Sequence, residues 1–131
     1  MPSTKTRIDK VATVVIAVSD QDKQVDFYTQ KLGFDKRVDV PFGNGYRWVE
    51  LAPNADAVTT IALAPPPEGK PAEPRDTGIS LYTQDIDGFH AELKDAGVDV
   101  DAEISKMGGP VPPLFWFRDA EGNTLMVVGD V

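Results

Sequence analysis

Residues Phe115 to Val128 read FWFRDAEGNTLMVV. Two apolar runs flank Asp119-Ala120-Glu121-Gly122-Asn123, a cluster of turn formers with one glycine available for positive φ. A β-hairpin near the C-terminus follows. Upstream of it stand a loop, Met107 to Pro113 (MGGPVPP), a strand over Val98 to Ile104, and a helix capped by Asp85. That helix carries Ile86, Phe89, Leu93 and Ala96 on one face and closes at Gly97. A further strand, Gly78 to Thr83, precedes it.

The first half of the chain has the same order. Val11 to Val18 is a β-branched strand, and Ser19 or Asp20 caps a helix through about Lys31 that Gly33 terminates. Phe34 to Val40 is a strand, and Tyr46 to Leu51 and Val58 to Leu63 form a hairpin. Asp20 and Asp85 are 65 residues apart, and Gly33 and Gly97 are 64 apart. The chain is therefore an internal repeat, βαβββ twice, with units at about 8–63 and 78–130. Between them, residues 64–77 carry five prolines over APPPEGKPAEPRD and read as an extended linker. The expected fold is α+β: one domain whose curved, mixed eight-stranded sheet has helices on its convex face and a concave cleft.

Composition narrows the function. With 13 basic and 21 acidic residues the net charge is −8, which opposes nucleic-acid binding and favours cationic small molecules. Absence of cysteine removes disulfides and thiolate chemistry, and no apolar run reaches membrane-spanning length. A cytoplasmic protein with no membrane partner is expected. No nucleophile–base set, phosphate loop or basic stripe is visible.

Three stretches, VVIAVSDQDKQVDFYTQKLGF, GISLYTQDIDGFHAELKDAGV and FRDAEGNTLMVV, resemble the vicinal oxygen chelate superfamily of glyoxalases, bleomycin-resistance proteins and ring-cleaving dioxygenases. The resemblance implies the fold above and a homodimer. It also implies a metal held from the first and last strands of each repeat. Matched motif to motif, those positions are Thr13, Ala62, Gly78 and Met126, and none suits a hard or borderline divalent ion. A metal-free member with no cofactor is expected.

Strand alternation, phased on those positions, sends Thr13, Val15, Thr60, Ala62, Ser80, Tyr82, Thr124 and Met126 to the cleft. The partner strands hold no such position to set their phase; if Val49, Leu51, Phe115 and Phe117 face the helices, they add Tyr46, Trp48 and Glu50, then Leu114, Trp116 and Arg118, with both tryptophans at matching places of the repeat. Phe42 and Met107, in matching Gly/Pro loops, border the cleft mouths. The candidate ligand-binding residues are thus Phe42, Trp48, Glu50, Thr60, Tyr82, Met107, Trp116, Arg118 and Met126. The resemblance to drug-sequestering members implies a small, flat, apolar or cationic ligand. The alternative is a glyoxalase-like lyase or isomerase with a relocated or metal-independent site. It would use Glu50, with a pKa raised beside Trp48, as base. The bland reading pairs Glu50 with Arg118 or Arg47. His90, the one histidine, is expected to pack at the helix–sheet edge.

Overall fold

The computed structural model describes residues 7–43, 45–67 and 70–131. Its elements are β1 (Thr13–Ala17), α1 (Gln21–Asp26), β2 (Asp35–Gly43), β3 (Tyr46–Ala52), β4 (Thr60–Ala64), β5 (Asp76–Tyr82), α2 (Ile86–Asp95), β6 (Asp99–Val100), β7 (Leu114–Arg118) and β8 (Thr124–Val128). Both helices start where an aspartate supplies the missing acceptor. Asp20 takes the Lys23 N–H and Asp85 takes the Gly88 N–H. α1 does not stop at Asp26 but runs on as a π-helical turn, Phe27–Lys31.

The strands form two four-stranded mixed sheets of identical order, β1-β4-β3-β2 and β5-β8-β7-β6. In each, the first and last strands of the repeat run parallel and the remaining neighbours antiparallel. The repeat inferred from the helix caps is therefore a repeat of βαβββ units. Within one chain, however, no ladder among the described residues joins β1 to β5, so the eight strands are two sheets and not one. The strand expected over Val98 to Ile104 is also shorter. The Asp101 carboxylate accepts the Trp116 N–H at 3.1 Å in place of a main-chain carbonyl, and His90 Nε2 donates to the Asp101 carbonyl at 2.7 Å. The ladder ends there, with one bridge from Ser105 to Leu114 beyond it.

The hairpin loop 119–123 folds around Asp119. Its carboxylate accepts the N–H groups of Glu121 and Asn123, and Gly122 takes φ +84°. The same carboxylate receives the Tyr28 hydroxyl at 2.8 Å, while Glu121 accepts the Ser19 and Asp20 N–H groups at the start of α1. The C-terminal hairpin thereby anchors the first helix.

One face of each sheet is apolar and buried: Val49, Leu51, Ile61 and Leu63 from the first, Phe115, Phe117, Leu125 and Val127 from the second. All eight belong to a single core with Tyr28, Ile86 and Leu93 from the helices. The helix α1 touches both sheets. Gln21 donates to the Arg47 and Leu63 carbonyls of the first, and Phe27 stacks on Phe117 of the second at 6.5 Å. The helices thus lie against the buried faces, and the opposite faces of the two sheets are left open. No helix among the described residues is long and apolar enough to cross a membrane.

Candidate functional site: the open sheet faces

On the first sheet the open face is built from β1, β4 and β3, and its polar groups form a chain. Trp48 Nε1 donates to Glu50 Oε2 at 2.7 Å, and Thr60 Oγ1 donates to Glu50 Oε1 at 2.7 Å. Thr60 Oγ1 is in turn 2.9 Å from Thr13 Oγ1, which also reaches the Thr60 carbonyl at 3.1 Å. Trp48 and Glu50 stand two residues apart on one strand, so the pleat puts both on this face. Beyond Trp48 the hairpin carries Val40, Tyr46 and Phe42, all exposed, with the Phe42 and Tyr46 rings stacked at 6.2 Å.

The indole N–H and then the Thr60 hydroxyl hold the Glu50 carboxyl below its ordinary value. This is opposite to the raised pKa that a general base here would need. Nor does the bland pairing form. Arg47 is engaged by Asp39 and Asp22 on the other face, and Arg118 by Asp99 and Asp101. Among the described residues Glu50 has no ion-pair partner. Arg37, the cation that acts on it at longer range, spends its guanidinium on the carbonyls of Asn54, Ala55 and Ala57.

On the second sheet the open face presents Gly78, Ser80 and Tyr82 from β5, Met126 from β8, and Trp116 and Arg118 from β7. Tyr82 donates its hydroxyl to Asp130 at 2.7 Å. The tryptophans are not at equivalent places of the repeat. Trp116 lies directly across from Met126, whereas Ala62, the counterpart of Met126, lies across from Glu50. Trp116 is therefore the counterpart of Glu50. The hairpin loops differ in length, seven residues between Ala52 and Thr60 against five between Arg118 and Thr124, and this shifts the register. Nor do the two tryptophans share a face within one chain, since each stands on its own sheet.

The positions where related metalloproteins hold their ion do not fit one here. Thr13 is committed to Thr60, Ala62 is buried and offers no donor, and Met126 offers only a thioether. Gly78 adopts φ +71° at a register shift between β5 and β8, a backbone state that disfavours any side-chain ligand. No group of three or more His, Asp or Glu that would hold a metal occurs among the described residues. His90 packs edge-on against Phe115 at the helix–sheet boundary, as expected, away from these faces.

Sequence reasoning missed a cavity of about 790 Å³, which opens between the edge strands β1 and β5. Val14, Leu32, Phe34, Ile79, Leu81 and Phe89 line it together with the open-face residues Val15, Gly78 and Ser80, and of the candidate ligand-binding residues Thr60 and Tyr82 reach it. The available signal was the alternation itself: Val14, Ile79 and Leu81 are apolar residues on strands that end their sheets. Met107 stands 74 % exposed in its loop, and Phe42 is exposed at the tip of its hairpin.

A family model described as Glyoxalase/Bleomycin resistance protein/Dioxygenase superfamily matches residues 7–127. The protein YetH of Bacillus subtilis (strain 168) is 32% identical over 120 residues, covering 92% of this chain and 98% of its own. Among solved structures, TnmS3, an antibiotic binding protein from Streptomyces sp. CB03234, is 33% identical with a TM-score of 0.80, over 97% of this chain and 100% of that one. A superfamily member from Sphaerobacter thermophilus DSM 20745 is 34% identical with a TM-score of 0.83, over 94% and 98%. Matching sheet order, repeat and sequence together, the chain belongs to the glyoxalase/bleomycin resistance protein/dioxygenase superfamily.

Proposed function

We propose that this protein is a metal-free binding protein that sequesters a flat organic cation, a reading supported by its likeness to TnmS3, an antibiotic binding protein. The carrying observation is Glu50: a half-buried carboxylate on an open sheet face, beside an indole, with two neutral donors and no ion-pair partner among the described residues. A cationic group on the ligand would supply the missing partner while the flat body stacks on Trp48. Stacking adds about 0.5–1.5 kcal/mol beyond buried area, and a cation over an indole about 0.5–2 kcal/mol. The lowered pKa keeps Glu50 ionised and makes it a poor base, which disfavours the lyase or isomerase reading.

A single open sheet is a platform and not an enclosure. Within one chain the two sheets share no ladder among the described residues, and Val15 and Thr60 of the first face meet Ser80 and Tyr82 of the second only along the crevice between β1 and β5. We infer a homodimer in which the first sheet of one copy meets the second sheet of its partner along β1 and β5. Such a pairing would cover the apolar crevice between those edges and turn Trp116, Tyr82 and Met126 toward the partner's Trp48 and Glu50.

The test is titration with proflavine, a flat tricyclic cation, followed by tryptophan fluorescence and melting temperature. Saturable binding is expected, weakened about fivefold or more by Trp48→Ala and by Glu50→Gln. If proflavine and a panel of other aromatic cations leave both signals unchanged, the reading fails.

A further inference from the structure

The polar chain on the first sheet contains two hydroxyls whose purpose ligand contact alone does not explain. Thr60 is 5% exposed, too deep to serve as a general contact surface, and its hydroxyl lies 2.7 Å from Glu50 and 2.9 Å from Thr13. A hydroxyl has one proton to give. The shorter, charge-assisted acceptor is the carboxylate, so Thr60 donates to Glu50 and its remaining oxygen capacity faces Thr13. The Thr13 proton then goes to the Thr60 hydroxyl or the Thr60 carbonyl at 3.1 Å, and in neither case competes for Glu50. Direction is thus imposed from the Thr60 hydroxyl to one oxygen of Glu50, with Thr13 held against Thr60 behind it, while the other oxygen receives the Trp48 indole. Both threonines are β-branched and stiff at χ1, and they pair directly across the β1–β4 ladder.

We propose that Thr60, backed by Thr13, is a positioning residue that fixes the Glu50 carboxylate and through it the Trp48 ring, and so sets a preference for cationic over neutral ligands of the same shape. The claim rests on the binding function proposed above. One carboxylate oxygen is held by the strand's own indole and the other by the hydroxyl. Neither can rotate away without breaking a bond that water is poorly placed to replace at Thr60. A carboxylate fixed in this way presents its remaining lone pairs in one direction, beside the ring face. A neutral tricycle gains the stacking but not the charge. Thr13 occupies a position that metal-binding relatives use for a ligand, and here the same place supports a fixed anion.

The experiment uses Thr60→Val, which keeps shape and removes the hydroxyl, with Thr60→Ser as the conservative variant and Glu50→Gln as the charge control. Two readouts separate this inference from the function on which it rests. The first needs no ligand. In a Trp116→Phe background the remaining indole reports on Trp48 alone. Its steady-state anisotropy should fall in Thr60→Val and recover in Thr60→Ser. The second is the affinity ratio of proflavine to acridine at pH 8, where the first is a cation and the second neutral. That ratio should drop about fivefold or more in Thr60→Val and Glu50→Gln, and stay near the parent value in Thr60→Ser. Should Glu50→Gln collapse the ratio while Thr60→Val leaves it intact, the positioning role is overturned and the binding function survives. Unchanged anisotropy in Thr60→Val overturns it even if neither dye binds the parent protein.

Discussion

Replacing Gln24 with methionine should stabilise the fold. Gln24 is fully buried in α1, and neither its amide nitrogen nor its amide oxygen has a hydrogen-bond partner within the chain. An unmet buried polar group costs about 1–3 kcal/mol, and two such atoms on one side chain double the stake. Methionine nearly conserves the volume, and swaps of that kind cost less than about 1.5 kcal/mol in strain. The balance is a gain of about 1–3 kcal/mol, or a melting temperature higher by about 4–11 °C for a domain of this size. Urea unfolding followed by tryptophan fluorescence is the assay, with a raised midpoint and an unchanged slope expected. A loss of about 1 kcal/mol or more would refute the reasoning, because it would mean that the amide is satisfied, by an internal water bridging it to neighbouring carbonyls.

Three further outcomes follow from the same geometry. Tyr28→Phe removes the hydroxyl that joins α1 to the Asp119 turn and should cost about 1.5–3 kcal/mol by urea unfolding, since the acceptor is a buried carboxylate. Burial first, then the Asp119 charge, raises the Tyr28 pKa well above its ordinary 10.0. The unfolded chain therefore loses this proton first, and stability should decline above about pH 10 in the parent but not in Tyr28→Phe; parallel decline in both would count against it. Glu50 has the opposite sign: its stabilisation is present above the unfolded pKa and lost as pH falls through the lowered folded value, a slope that Glu50→Gln should remove. Finally, the cysteine-free chain permits spin labels at Trp48→Cys and Trp116→Cys without background. In the proposed dimer, labels on different chains should lie closer together than labels on one chain. A monomer, or the reverse order of distances, would refute the shared cleft.

Much of this was legible because strand alternation has a period of two and no freedom in it. Thr13, Ala62, Gly78 and Met126 set the phase for Thr60 and Tyr82; Trp48, Glu50, Trp116 and Arg118 reached the open face on the premise that Val49, Leu51, Phe115 and Phe117 face the helices, and the burial of those four agrees with it. The caps at Asp20 and Asp85 were legible for a similar reason, since an aspartate before an amphipathic run has one main use. What alternation cannot encode is the object on the far side of a buried face. Val49 and Phe117 read alike as inward residues, and nothing in their spacing says that one helix touches both sheets. Loop length hid the tryptophan register in the same way, because matching two hairpins by eye ignores the two extra residues before Thr60.

Glu50 shows why the candidate site was harder to read than the fold. From sequence, a glutamate beside a tryptophan invites either a desolvated acid or a salt bridge, and the two predict opposite pKa shifts. The structure has neither. The indole donates through its edge N–H, so Trp48 lowers the pKa of the acid that it was expected to raise, without consuming the charge. The arginines that would have neutralised Glu50 are engaged elsewhere: Arg47 turns to the other side of β3, and Arg118 is held by two aspartates of the second repeat. An anion made more stable by neutral donors and without a counter-ion among the described residues is a specific arrangement, and alternation alone could not have told it from an ordinary surface carboxylate. The distinction lies in which donors reach it, and those come from a neighbouring strand 10 residues away and from its own strand two residues back.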